Sequence, residues 1–215
     1  MKQIVVVGGG GMAREVIALM NPVIQSGQVR IRGVIDDTLP LGEDFFPGYP
    51  YPVLGNIATF KPQESDLLLL AIGDPAARLK LGRELSTRGC RFFSFIHPTA
   101  IVAPDARLGA GVVIYPYSLV SANTKLGDFV LINVHSGAGH DVVIGDGSVI
   151  CAHVDLTGFV QVGEAVLIGS HASVLPKVRI GDCAKIGAGS IVVRSVRAHA
   201  TVFAQPARTL KQAEE

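Results

Sequence analysis

Two adjacent residues, His140 and Asp141, have the types that general base chemistry needs. An imidazole titrates near neutral pH and can take a proton from a nucleophile as it attacks. A carboxylate beside it can hold the ring in one tautomer and help set its basicity. The pair closes the run Ser136-Gly137-Ala138-Gly139-His140-Asp141, whose small residues suggest room for a ring or a local bend. Three further histidines, His135, His153 and His171, stand eighteen apart. That spacing predicts a stack along one line of a repeating structure, beneath Tyr117. Packing, a subunit interface, a substrate contact and a metal are all open roles for it. His97, in Ile96-His97-Pro98, reads as part of a junction, and His199 lies near the C-terminus.

A second group of residues suits phosphate chemistry. Gly8-x-Gly10-x-x-Ala13 fits a dinucleotide-type loop between a strand and a helix. Its glycines let backbone amides approach a phosphate, and the helix start adds positive potential. Asp36 and Asp37 end a second apolar run, where carboxylates can accept hydrogen bonds from a ribose or a base. Gly73-Asp74 ends a third. Ligands of such sheets bind beyond the carboxyl ends of the strands, so Gly10, Gly11, Met12, Asp36, Asp37 and Gly73 are expected around one crevice. Arg78 is a candidate phosphate contact or a solvated helix charge.

The elements that position these loops follow from hydrophobic runs. Strands are expected at Lys2–Val7, Val29–Ile35, 66–72 and 91–96, with helices at 13–20 and 76–88. Alternation of this kind implies a small parallel α/β sheet over residues 1–95. The segment is too short for a six-stranded dinucleotide fold. A half-Rossmann unit holding a nucleotide-linked substrate fits better than intact NAD or FAD, or than a purely structural glycine turn.

The histidines belong to a different rhythm. Stepping by six from Leu108 gives Ile114, Val120, Leu126, Ile132, Ala138, Ile144, Ile150, Leu156, Val162, Ile168, Val174, Ile180, Ile186 and Val192. Every step is Leu, Ile or Val except Ala138. Leu108, Leu126, Ile144, Val162 and Ile180 are each followed by Gly and lie eighteen apart. Six and eighteen together describe a triangular coil, with an aliphatic residue pointing inward on each side and Gly taking the corners. A period near 3.6 would be needed for a helix, and a period of two for ordinary strands. The organisation expected is 1–95, then a coil over 96–195, then a tail over 196–215.

Composition narrows the partners. A net charge of +1 gives no reason to invoke nucleic acid or an anionic membrane. Cys90, Cys151 and Cys183 form no CxxC and read as reduced thiols of a cytoplasmic protein. The apolar N-terminal run is strand-length and ends in glycine, unlike a secretory leader.

These pieces occur together in one known family. Gly8–Ala13, Asp36-Asp37, Ala71-Ile72-Gly73-Asp74, Ile96-His97-Pro98, Gly139-His140-Asp141 and Gln205-Pro206-Ala207-Arg208 follow one another in this order. The chain resembles the PglD/NeuD-type bacterial acetyltransferases, which act on amino sugars, commonly as nucleotide-sugars, or on sialic acid. The resemblance implies a half-Rossmann domain followed by a left-handed parallel β-helix, a homotrimer with sites between subunits, and acetyl-CoA as donor without a metal. It implies that His140 takes the acceptor's proton with Asp141 in support. Residues 10–12 and Asp36-Asp37 would hold the nucleotide, Val149, Ser170 and Ala188 would bind the CoA, and the segment after Gln205 would lie near it. The implied reaction is N-acetylation of a 4-amino-4,6-dideoxyhexose for a surface glycan, with O-acetylation as the alternative.

The chain departs from that pattern at three places. Met12 replaces a frequent histidine, Val149 stands where some members place a histidine near CoA, and Ala204 replaces a common glycine. His153 is a candidate to take over part of the role lost at Val149. Two rival readings remain. A γ-class carbonic anhydrase-like enzyme shares the coil and has two histidines five apart, as His135 and His140 are, yet the coils from Leu108 to Leu131 hold no histidine for a third zinc ligand. A non-enzymatic assembly scaffold would leave His140 dispensable.

Overall fold

The computed structural model describes residues 1–205, as two bodies of different construction. In the first, β1 (Lys2–Val7), β2 (Val29–Ile35), β3 (Asp44–Phe46), β4 (Tyr49–Gly55) and β5 (Asp66–Leu70) form one sheet in the order β3-β4-β2-β1-β5. Only β3 runs antiparallel to its neighbour. Ile4 to Val7 are fully buried, as a central parallel strand covered on both faces must be. Helix α1 (Gly11–Leu19) covers one face through Ala13, Val16 and Ile17. A short helix, α2 (Asn21–Gln25), follows it. Helix α3 (Pro75–Thr87) covers the other face, with Leu85 against Val5 and Val7. Asp74 caps α3, its carboxylate accepting from the Ala77 amide at 2.8 Å, and Pro75 opens the first turn.

The second body is a left-handed parallel β-helix of two-residue strands, from β6 (Phe95–Ile96) to β23 (Thr201–Val202). It begins one residue before the expected coil of 96–195 and runs on into the segment expected as a tail, through Thr201–Val202. Strands pair with the strand eighteen residues on, as in Leu131↔Val149 and Ile132↔Ile150, and in the last coil the offset shortens to sixteen, Lys185↔Thr201. This produces three flat faces. The first contains Phe95, Val113, Leu131, Val149, Leu167 and Lys185, the second Leu119, Gly137, Asp155 and Ser173, and the third Lys125, Val143, Gln161 and Arg179. The six-step residues fill the interior. A second inward position lies two residues before each, held by valines such as Val112, Val130, Val142 and Val154, by Ala172 and Ala184, or by Ser and Thr. The buried hydroxyls reach a neighbouring coil: Ser118, Thr124, Ser136 and Ser148 donate to the carbonyls of Asn133, Gly139, Cys151 and Gly163 at 2.7–2.8 Å.

Two expectations about the coil need correction. The glycines after the aliphatic steps do not take the left-handed corners. They stand where the next coil comes closest. A Cβ on Gly145 would lie 2.6 Å from the Gly163 carbonyl, and one on Gly169 2.6 Å from the Ala188 amide. The left-handed corners fall every sixth residue, on Tyr117, Asn123, Phe129, His135, Asp141, His153, Phe159, Ala165, His171, Lys177 and Cys183 with φ between 51° and 65°, and on the separate glycines Gly111, Gly147 and Gly189 with φ 64–69°. Ala138 is the second correction. It does not mark a bend, because Gly137–Ala138 pairs in register with both flanking coils and Ala138 is buried in the core.

The α/β body packs on the first face and on the corner between the third and first faces. Val113, Tyr115, Leu131 and Val149 join its core cluster, Phe92 meets Phe129 edge to face at 4.8 Å, and Arg83 pairs with Asp146 and Glu164. Among the described residues no helix is long and apolar enough to cross a membrane.

The two kinds of glycine are predicted to behave differently. Gly145→Ala forces a Cβ into backbone and should cost about 3 kcal/mol, a fall in Tm of roughly 10 °C. Gly189→Ala, at φ +69° with open space around it, should cost only about 1 kcal/mol. Equal Tm losses in thermal melts would contradict this division.

Candidate active site

The glycine-rich loop leaves β1 and enters α1. Gly8, at φ +95°, lies against Ala71 and Ile72, and the Gly9 amide donates to Asp36 Oδ2 at 2.8 Å. Gly10 is the α1 N-cap and carries no side-chain cap, with nothing within 4 Å of where its Cβ would be. A Cβ on Gly73 would meet Met12 Sδ at 3.8 Å. The ends of β1, β2 and β5 therefore converge as expected, with the open mouth at Gly10 and Gly11.

Asp36 and Asp37 diverge, although they are adjacent. Asp36 faces the glycine loop, with Thr38 donating to Oδ1 through both its amide and its hydroxyl. Burial pushes its pKa up, but the bonds from Thr38 and Gly9 outweigh this and hold it below the usual carboxylate value. Asp37 turns to the α3 side, accepts from the Ile57 amide at 2.8 Å and lines a cavity of about 360 Å³ with Ala77, Lys80 and Arg88.

Arg78 is neither a phosphate contact nor a solvated charge. It is fully buried, donating from Nη1 to the carbonyls of Leu70 and Ile72 and from Nε to Phe129. Burial lowers its pKa to about 10, so it stays charged at neutral pH. The nearby Tyr115 hydroxyl is buried too, which pushes its pKa up. Arg78 thus bolts the Gly73 loop to a corner of the β-helix.

His140 and Asp141 sit on the corner between the second and third faces, the vertex opposite the α/β body. His140 Nδ1 lies 2.8 Å from Asp141 Oδ2. A carboxylate only accepts, so Nδ1 carries the proton and Nε2 keeps its lone pair. Asn123 Nδ2, one coil earlier, donates to Asp141 Oδ1 at 2.6 Å. The bonds from His140 and then Asn123 hold the Asp141 carboxyl below its usual range. Phe159 meets the His140 ring edge to face at 5.1 Å. A Cβ on Gly158 would stand 2.5 Å from Nε2, so the space for the ring comes from the following coil, at Gly158. Asn123, Gly158 and Phe159 escape a reading of the local sequence. All three stand close to eighteen residues from the dyad, which is the one signal that finds them.

The predicted stack is present on the corner between the first and second faces. Tyr117, His135, His153 and His171 form one column, with ring centroids 5.1, 5.0 and 4.7 Å apart and planes within 16° of parallel. Ser170 and Ala188 adjoin this corner, where the Gly189 amide donates to the Ser170 carbonyl at 2.8 Å. Val149 lies on the first face with its side chain buried in the interdomain cluster, which leaves only its backbone for a ligand. Pro206, Ala207 and Arg208 lie outside the described residues. His135 and His140 occupy different corners, and among the described residues no group of three His, Cys, Asp or Glu is placed to hold a metal ion.

Comparison with known proteins matches both bodies. The family description "PglD N-terminal domain" matches residues 3–85, and "bacterial transferase hexapeptide (six repeats)" matches residues 159–194. A curated relative, the UDP-N-acetylbacillosamine N-acetyltransferase of Bacillus subtilis (strain 168), is 32% identical over 117 residues, 53% of this chain. That match spans about half of the relative's length, 51%. Among solved structures, PerB from Caulobacter crescentus in complex with CoA and GDP-perosamine has a TM-score of 0.84 and 30% identity, covering 97% of each chain. The acetyltransferase domain of PglB from Neisseria gonorrhoeae FA1090 has a TM-score of 0.84 and 25% identity, covering 98% of this chain and 100% of that one.

The bolt at Arg78 is open to test. Arg78→Met keeps the volume but removes the guanidinium donor from three carbonyls, those of Leu70 and Phe129 in buried surroundings, and should lower stability by about 3 kcal/mol in denaturant titrations. An unchanged midpoint would show that the bolt carries no load.

Proposed function

This chain belongs to the PglD-type bacterial sugar acetyltransferases, and from that premise we propose that it moves an acetyl group from acetyl-CoA to the amine of a nucleotide-linked amino sugar. The observation that carries the reading is the full-length likeness to a structure holding CoA and GDP-perosamine, together with an open glycine loop and a His-Asp dyad in this chain. A sugar of the 4-amino-4,6-dideoxyhexose type fits these relatives.

The glycine loop, with Asp36 on its inner side, holds the nucleotide part of the acceptor. The free amine attacks the thioester carbonyl, the C–S bond breaks, and CoA leaves as the thiolate. His140 Nε2 takes the proton from the amine, while Asp141 fixes the opposite edge of the ring. A thioester is already activated, so juxtaposing the two substrates contributes several kcal/mol and the base roughly 10²–10⁴-fold.

The layout favours a homotrimer. Within one chain the acceptor loop lies on the first-face side of the β-helix, and Ser170 and Ala188 adjoin its edge. The dyad lies on the opposite vertex. A neighbouring copy that places its His140 corner beside this chain's first and second faces joins the halves.

His140→Ala is predicted to cut turnover by about 10²–10⁴-fold with assembly intact, and Asp141→Asn by less. The readout is free-thiol release from acetyl-CoA with UDP-, dTDP- and GDP-linked 4-amino sugars. Near-normal turnover in His140→Ala would refute the base. Gly10→Asp suits an N-cap but opposes a phosphate, and should raise KM for the acceptor at least about tenfold. Co-expressing Gly10→Asp with His140→Ala should restore part of the activity, because a shared site pairs an intact loop from one copy with an intact base from another. No recovery would place the whole site in one chain.

A further inference from the structure

We propose that Asn123 is a positioning residue for the dyad, a role that rests on His140 being the base. Among the described residues, Asn123 Nδ2 to Asp141 Oδ1, 2.6 Å, is the only side-chain-to-side-chain hydrogen bond between successive coils. Other coils are joined by backbone bonds, or by side chains bonded to backbone, as where Asp128, Asp146 and Asp182 accept from amides eighteen residues earlier. The exception falls on the coil next to His140.

The backbone does not demand an amide at this place. Asn123 stands at a left-handed corner, φ 54°, a conformation asparagine adopts readily. Equivalent corners hold Tyr117, Phe129, Ala165, Lys177 and Cys183 without difficulty. Its side chain has a function that the corner does not require. The bond also settles which way the amide points, since a carboxylate can only accept and must face the NH₂.

The consequence is mechanical. Asp141 is on an exposed corner, and its carboxylate could rotate freely about two torsions. With Oδ2 on His140 Nδ1 and Oδ1 on Asn123, both oxygens are committed and the carboxylate plane is set. The imidazole is then held with Nε2 directed at the space above Gly158. The Asn123 backbone is pinned from the coil before, its main-chain N–H donating to Asp105 Oδ2 at 3.0 Å. Asp105, Asn123, Asp141 and His140 form a chain that runs down one corner and ends at the base. Lys125 is a cation whose charge also acts on Asp141. An ammonium on a flexible stem would hold the carboxylate less firmly than the amide does.

Steady-state kinetics of the full chain, with acetyl-CoA and the best nucleotide-linked amino sugar, test this. Asn123→Ala should lower kcat by about tenfold and leave KM for both substrates within about twofold, the coupling expected of contacting residues. Asn123→Asp, which sets a second carboxylate against Asp141, should be at least as slow. In an Asp141→Ala background, Asn123→Ala should cost nothing further, because its only target is gone. Thermal melts of the exposed-site variants should match the parent. A wild-type kcat for Asn123→Ala, or the same tenfold loss in the Asp141→Ala background, would overturn the assignment. If His140→Ala is inactive while Asn123→Ala runs at full speed, the positioning role alone fails. If His140→Ala keeps its turnover, the base reading falls and takes this one with it.

Discussion

The backbone ladder between successive coils is the constraint from which the rest of the molecule follows. Each strand is two residues long, and those inside the stack must bond to partners a full coil away on both sides, eighteen residues for most. Holding that contact around a triangular path leaves no space for a Cβ where two coils come closest, which is why Gly109, Gly145, Gly163 and Gly169 recur. It also turns two positions per repeat inward. One takes a long aliphatic side chain and the other a short one, so the interior fills at native density without a large residue near each corner. At Ser118, Thr124, Ser136 and Ser148 the hydroxyl of the short residue satisfies a carbonyl of a neighbouring corner.

The same ladder decides where the two bodies can meet. A flat face of parallel strands exposes one side chain per coil, and on the first face these are Phe95, Val113, Leu131, Val149 and Leu167, an apolar strip ready to be covered. The α/β body covers it, and Arg78 fixes the joint by donating to carbonyls on both sides. A buried guanidinium facing carbonyls alone is an expensive fastening, tolerated because the Leu70 and Phe129 acceptors are themselves buried and need a donor. The loops that would hold an acceptor are thereby set on one side of the prism, and the His140 vertex on the other.

Much of this is legible in the primary structure, and the exceptions have physical causes. The six-step ladder is readable because every inward step must be aliphatic, and the histidine column because its members stand eighteen apart. The glycines are easy to find but easy to misread. Their spacing is the same whether they serve a corner or a close approach, and only the positive φ of Tyr117, His135 and Phe159 separates the two. The β3–β4 hairpin does not show itself, because Pro50 and Pro52 interrupt the alternation that marks a strand. Arg78 looks like a surface helix charge, since nothing local announces the three carbonyls waiting for it. The surroundings of His140 are hidden for a related reason. Its neighbours are a coil away, and the small residue that makes room for the ring is Gly158, not Ala138.

The left-handed corners have one more consequence. Phenylalanine, histidine, aspartate, lysine, cysteine and alanine all sit there with nearly the same φ, so the scaffold places almost no demand on what a corner carries. Rigidity and chemistry are therefore written in separate columns of the repeat. A lineage can rewrite the outward column residue by residue, trying new recognition or new reactivity, while the inward column keeps the coil folded throughout.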